Sequence, residues 1–200
     1  MDEASEPGGM RAFLDESSCV LGAERQLYLV GAAILEAGTC DDVREELRPL
    51  LLPGQVKLHW TDESTRRRQR IVDAIVSLEP INVIVSHVSE RQHKTERFRR
   101  KCLEQMYYEF VSMELHDVTL ESRSPTQDGK DLAHIIALRS RGLDERIRLS
   151  HRRGGDEPLL WIADAVLGAV NSARLGDPAH LDALRGSILL QERTPESLGE

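Results

Sequence analysis

The sequence predicts an α/β fold, a sheet of mixed direction flanked by helices. Two strand-like runs follow one another near the start, at 11 to 14 and 26 to 35. From residue 60 onward, segments of helical and strand spacing then alternate. Nothing repeats, and 200 residues are enough for one domain with a real core. The expected domain runs over 11–185, with 1–10 and 186–200 as loose termini.

Arg11 to Leu14 reads as the first strand and QLYLVGAAIL (26 to 35) as a central one. Cys40 to Leu51 reads as a short helix closed by Pro53 and Gly54, and QVKLHW (55 to 60) as a third strand. Ile71, Ala74, Ile75 and Leu78 recur at helical spacing, which predicts an amphipathic helix over 64–79 capped by Thr61 or Asp62 and stopped by Pro80. INVIVSHV (81 to 88) is a β-branched run of the kind that buried strands use. A longer helix over 94–113 buries Leu103, Met106, Tyr107 and Phe110. DVTLES (117 to 122) alternates as a strand. A helix near 127–140, the strand RIRLSH (146 to 151) and an apolar helix over 158–173 follow. From Gly186 the chain turns polar and is expected to fray.

Composition narrows the class. The three cysteines, Cys19, Cys40 and Cys102, form no CxxC pair, which argues against a zinc site or a disulfide framework and suits a reducing cytoplasm. The acidic start MDEASEPGGM lacks the basic-then-apolar order of a signal peptide. The longest apolar run, PLLWIADAVLGAV, is shorter than the roughly 20 residues of a membrane span. A net charge of −8 argues against a chain that coats nucleic acid nonspecifically. Yet residues 64–101 carry ten Lys/Arg against four Asp/Glu, and 139–153 carry six against two. Such concentrated basic segments can grip a polyanion locally, or pair with the surplus carboxylates on a solvated surface.

The chemistry-bearing residues are isolated carboxylates. GxxxxGK[ST], GxGxxG and HExxH are all missing. Asp164 falls within the apolar stripe formed with Leu160, Trp161, Leu167 and Gly168, and a buried carboxylate needs an arginine, hydrogen-bond donors or a metal ion beside it. Asp15 shares the face of Phe13 at the end of the first strand run, where open α/β sheets place ligands, although DESS could equally be a turn. Glu121 ends DVTLES in the same way. Asp62 and Glu63 precede a helix whose start is crowded by Arg66, Arg67, Arg68 and Arg70; they offset that charge unless an anion does. His59 and His87 end strand runs and are more often structural than ligands.

FLDESS followed by YLVGAAIL, KLHW before a helix, VTLESRS after a long helix, and RIRLSHRRGGDEPLLWIADAVLGAV together resemble a widespread family of unknown function. Its members begin with a strand ending Asp-Glu-Ser-Gly, finish with an Ala-Asp helix, and look like the ribonuclease H superfamily in fold. The resemblance covers about 11–173. It implies a ribonuclease H-like mixed sheet and a carboxylate centre of Asp15, Glu121 and Asp164 holding Mg²⁺ or Mn²⁺. The sequence departs from the family pattern at Ser18 (usually Gly), Glu121 (usually Asp) and Lys57 (commonly Glu), so Glu63 is a candidate substitute acid. The resulting expectation is a divalent-metal-dependent nuclease or phosphodiester-transfer enzyme, with Arg66, Arg67, Arg70, Arg97 and Arg100 contacting nucleic acid. The alternative is a noncatalytic ribonuclease H-like accessory module, which Lys57 favours.

Overall fold

A long hairpin starts the fold. In the computed structural model, which describes residues 9–93 and 95–199, β1 (Met10–Leu21) and β2 (Arg25–Glu36) run antiparallel over their whole length. The acidic leader lies, through residue 8, outside the described residues. FLDESS is therefore continuous strand and not a turn; the turn comes at Gly22, whose φ of 63° suits glycine.

After β2 the chain forms α1 (Cys40–Leu47), then α2 (Thr65–Leu78), β3 (Ile81–Glu90), α3 (Glu96–Ser112) and β4 (Asp117–Glu121). Next come α4 (Pro125–Arg139), β5 (Arg148–Arg152), α5 (Leu160–Arg174), α6 (Ala179–Leu184) and β6 (Ile188–Arg193). The six strands lie in the order β5-β4-β1-β2-β3-β6. β1, β2 and β3 form an antiparallel meander, while β4 is parallel to β1, β5 to β4, and β6 to β3. This mixed α/β sheet flanked by helices is the architecture expected from the sequence. Among the described residues no helix is long and apolar enough to cross a membrane.

Strand alternation divides the core into two. Phe13, Leu27, Leu29, Ile84 and Val88 face one side, packed with residues of α1, α2, α5 and α6. Ala12, Leu14, Val30, Val83 and Val85 face the other, packed against Phe98, Met106 and Phe110 of α3 and Ile135 and Leu138 of α4. α5 is apolar nearly all round because it lies between the sheet and the outer helices. It sits close to the sheet because Gly31 of β2 has no side chain: a β-carbon there would fall 2.8 Å from Leu167 Cγ. Gly31 is the cross-strand partner of Asp15, so this close approach carries Asp164, one turn before Leu167, toward Asp15.

Two expectations are corrected. QVKLHW is not a strand but an irregular segment entering a 3-10 turn, Trp60–Asp62. Its alternation arises because Leu58 and Trp60 plug the α5 side of the core, without any ladder. α2 is consequently preceded by Ser64, not by Thr61 or Asp62. After Gly186 the described residues are not irregular throughout: β6 covers the edge of β3, and beyond it Thr194 N–H and Leu198 N–H donate to Ser86 O and Val88 O.

Candidate metal centre

The centre forms where the parallel part of the sheet stops. β4 pairs with β1 through Leu14 opposite Leu120, and one residue further on come Asp15 and Glu121. Both share the side of Phe13, facing α5, whereas Glu16 shares the side of Leu14, facing α3. Although β1 continues to Leu21, it loses its β4 neighbour here, so Asp15 lies at a strand end on that flank.

The chain brings Asp15, Glu121, Asp164 and Lys57 into one electrostatic neighbourhood. Asp15 is pushed well above the ordinary carboxyl range by burial and by the charges of Glu121 and Asp164; the Glu16 N–H at 2.7 Å and Lys57 only partly offset them. Asp164 is also raised by burial, against a backbone N–H donated by Trp60 at 2.7 Å and the nearby His59 and Lys57. His59 Nδ1 lies 3.4 Å from Asp164 Oδ1. Glu121 Oε1 accepts from Lys57 Nζ at 2.6 Å. Asp164 is thus not one half of a buried Asp–Arg pair. Among the described residues, three carboxyl groups meet one lysine and one histidine, which do not offset their burial.

A second group has the opposite character. Among the described residues, Asp128, Asp131 and His151 form the trio of candidate ligands whose donor atoms lie within 4.8 Å of one another, a tighter set than the Asp15 group. Its oxygens are already used. Buried Asp131 pairs with Arg99 through both oxygens and is met by Arg123 and His151. Asp128 accepts from the Ser122 hydroxyl and the Arg123 N–H. Burial would raise both carboxyls, but these hydrogen bonds outweigh it and hold them below the ordinary range. Arg99, among the largest fully buried side chains, also binds Glu16 and so ties α3 to β1 and α4. This network escaped the sequence analysis.

The other expected residues are dispersed. Glu63 is buried but engaged by Arg67 and by Gln55 at 2.9 Å, not by the Asp15 group. Arg67 also caps Leu50 O, while Arg68 donates to Trp60 O and lies 5.1 Å over its ring. Arg66 and Arg70 are exposed on α2, and Arg97 and Arg100 on α3, so the basic segments lie on opposite faces of the sheet. Ser18 lies exposed within β1, opposite Tyr28. His87 is buried, bonded to Thr194 and stacked on Phe98 at 4.9 Å, a structural role.

No family model matches the chain, and no curated protein sequence does. Similar solved structures include the PCNA:RNase HII complex from Archaeoglobus fulgidus, at 18% identity and a TM-score of 0.39, over 88% of this chain and 78% of that one. A mutant protein of Bst-RNase HIII shares 9% identity at a TM-score of 0.41, over 84% and 56%. Bst-RNase HIII in complex with Mn²⁺ shares 12% at 0.39, over 90% and 57%. The chain thus spans little more than half of the RNase HIII chains. Identity this low carries no activity from them to this protein.

Proposed function

We propose that Asp15, Glu121 and Asp164 hold a divalent cation, Mg²⁺ or Mn²⁺, and that the protein is a ribonuclease H-like, metal-dependent phosphodiester hydrolase acting on nucleic acid. The observation that carries this reading is the uncompensated charge at the end of β1. Asp15 is raised by burial and by Glu121 and Asp164, and Asp164 by burial and by Glu121, whereas the saturated Asp131 is lowered. An all-oxygen set suits a hard ion, which retains water and accepts one or two carboxylates plus phosphate oxygens. When bound, such an ion polarises a phosphoryl oxygen and makes its water more acidic.

The remaining work falls to the chain. The Trp60 N–H orients Asp164, and the Glu16 N–H orients Asp15. Lys57 sits beside the acids with a partly exposed side chain, suited to meet a phosphate oxygen when it leaves Glu121. His59, with Nδ1 toward Asp164, is the group best placed to take or give a proton at Nε2. The bond between Lys57 and Glu121 also favours a second reading, a noncatalytic module whose lysine replaces the cation.

Asp164→Asn distinguishes the two. The asparagine can still accept from Trp60, so metal-free melting should match or exceed wild type, and the rise in melting temperature with Mn²⁺ should vanish along with Mn²⁺-dependent cleavage. A wild type that does not respond to Mn²⁺ would support the noncatalytic module.

A further inference from the structure

A second feature of the surface lies on the α3–α4 face. A groove of about 730 Å³ runs between these helices, lined by Arg97, Arg100 and Lys101 on one side and by Lys130, His134 and Arg141 on the other. Arg97, Arg100, Lys130 and Arg141 are exposed, and none of the four makes an ion pair among the described residues. The acids of the lining, Glu96 and Glu104, are outnumbered. His134 is mostly buried, and its Nδ1 has no hydrogen-bond partner there.

The charge suits an extended polyanion. Along α4 the groove is bordered by Lys130, mostly buried His134 and uncharged Ala137 at intervals of four and three, about 10 Å of one helix face, and Arg141 adds a second exposed cation past its end. Across the groove Arg97 and Arg100 of α3 supply the facing charges. Ala133 and Ala137 keep that side of the groove shallow, and no Phe, Tyr or Trp lines it. Modules that hold single strands stack bases on aromatic rings, so a lining without them favours phosphate contacts to paired nucleic acid.

The groove adjoins the end of β1 from the α3 side of the sheet. Glu96 on its edge binds Arg123 at 3.1 Å, and Arg123 lines a cavity of about 240 Å³ on that side, with Asp15 and Glu121, whose side chains belong to the α5 side, in its wall. We infer that the α3–α4 groove cradles the sugar–phosphate backbone of a nucleic-acid duplex, independently of sequence, beside the end of β1. This rests on the nuclease reading and narrows it: the duplex lies on the α3–α4 face, and the arginines of α2 take no part.

The test compares Lys130→Glu/Arg141→Glu with Arg66→Glu/Arg70→Glu by fluorescence anisotropy. The probes are a labelled duplex of about 20 base pairs, its single strand, and polyglutamate, over a series of salt concentrations. The groove variant should lose duplex affinity by about tenfold or more and flatten the salt slope by about 2. The α2 variant should behave as wild type. Mn²⁺ titration and thermal melting of both variants should match wild type, so a failure of the metal reading shows separately, in the titration. Equal duplex affinity in the groove variant and wild type would overturn the inference. So would an equal loss in both variants, tighter binding of the single strand, or polyglutamate binding as tight as the duplex.

Discussion

Replacing Gly168 of α5 by alanine is expected to destabilise the protein, although alanine is the better helix former by about 1 kcal/mol. A β-carbon at Gly168 would overlap Cγ and Cδ1 of Trp60 and lie 2.7 Å from its Cβ. The ring cannot retreat cheaply. Its Nε1 donates to Ser172 at 3.2 Å, His180 meets it edge-on at 5.2 Å, Arg68 covers it, and only 2% of the residue is exposed. Overpacking of this kind costs typically 1–3 kcal/mol, and an overlap with both ring and stem belongs at the upper end, about 3. The net loss is about 2 kcal/mol, a fall of roughly 4–8 °C in melting temperature for a chain of this size. Gly129→Ala in α4 is the control, because nothing lies within 4 Å of its β-carbon; it should gain up to about 1 kcal/mol and melt roughly 2–4 °C higher. Because the Trp60 N–H holds Asp164, Gly168→Ala should also weaken Mn²⁺ binding. Calorimetry of both variants decides the matter. If Gly168→Ala melts at or above wild type, the packing argument at Trp60 is wrong.

Asp131→Asn tests the saturated network. The Asp131 carboxyl is held below its ordinary 3.8, so its stabilisation is complete above that value and is lost as pH falls through the lower folded one. Urea unfolding should show a deficit of about 3 kcal/mol near neutral pH that shrinks toward about pH 3; a deficit independent of pH would refute the assignment. Lys57→Met should bind Mn²⁺ more tightly than wild type by titration calorimetry, because it frees the Glu121 oxygen and removes a competing charge. Weaker binding would instead make Lys57 part of the site's support.

How much of this was legible in the sequence depended on which element each residue packs against. Asp15, Glu121 and Asp164 stood out because a carboxylate at a strand end or in an apolar stripe must be explained, and the chain gathers all three. The same signal was present and passed over in Arg99, which recurs with Cys102, Leu103 and Met106, and in Asp131, which recurs with Ile135 and Leu138. Those two form the buried Asp–Arg pair that was one of the alternatives at Asp164. Leu58 and Trp60 alternate as a strand would, but period two reports only which side chains are buried, and a segment lying along a helix buries them as well. β6 was obscured because an edge strand exposes most of its side chains: Leu189 is 63% exposed, and Gln191 to Arg193 are exposed too. That the basic runs around Arg66 and Arg97 lie on opposite faces follows from the crossing of the chain through β3, which composition does not record.

The acids at the end of β1, and not the tighter trio on α4 and β5, are the proposed metal ligands. Crystals soaked in Mn²⁺ and measured near the manganese absorption edge decide between the two groups. Metal binding at this end of the sheet gives an anomalous peak contacting the carboxylates of Asp15 and Asp164, with Glu121 turned from Lys57 toward it. A peak at Asp128, Asp131 and His151, or crystals that take up no manganese while Lys57 stays on Glu121, would contradict it.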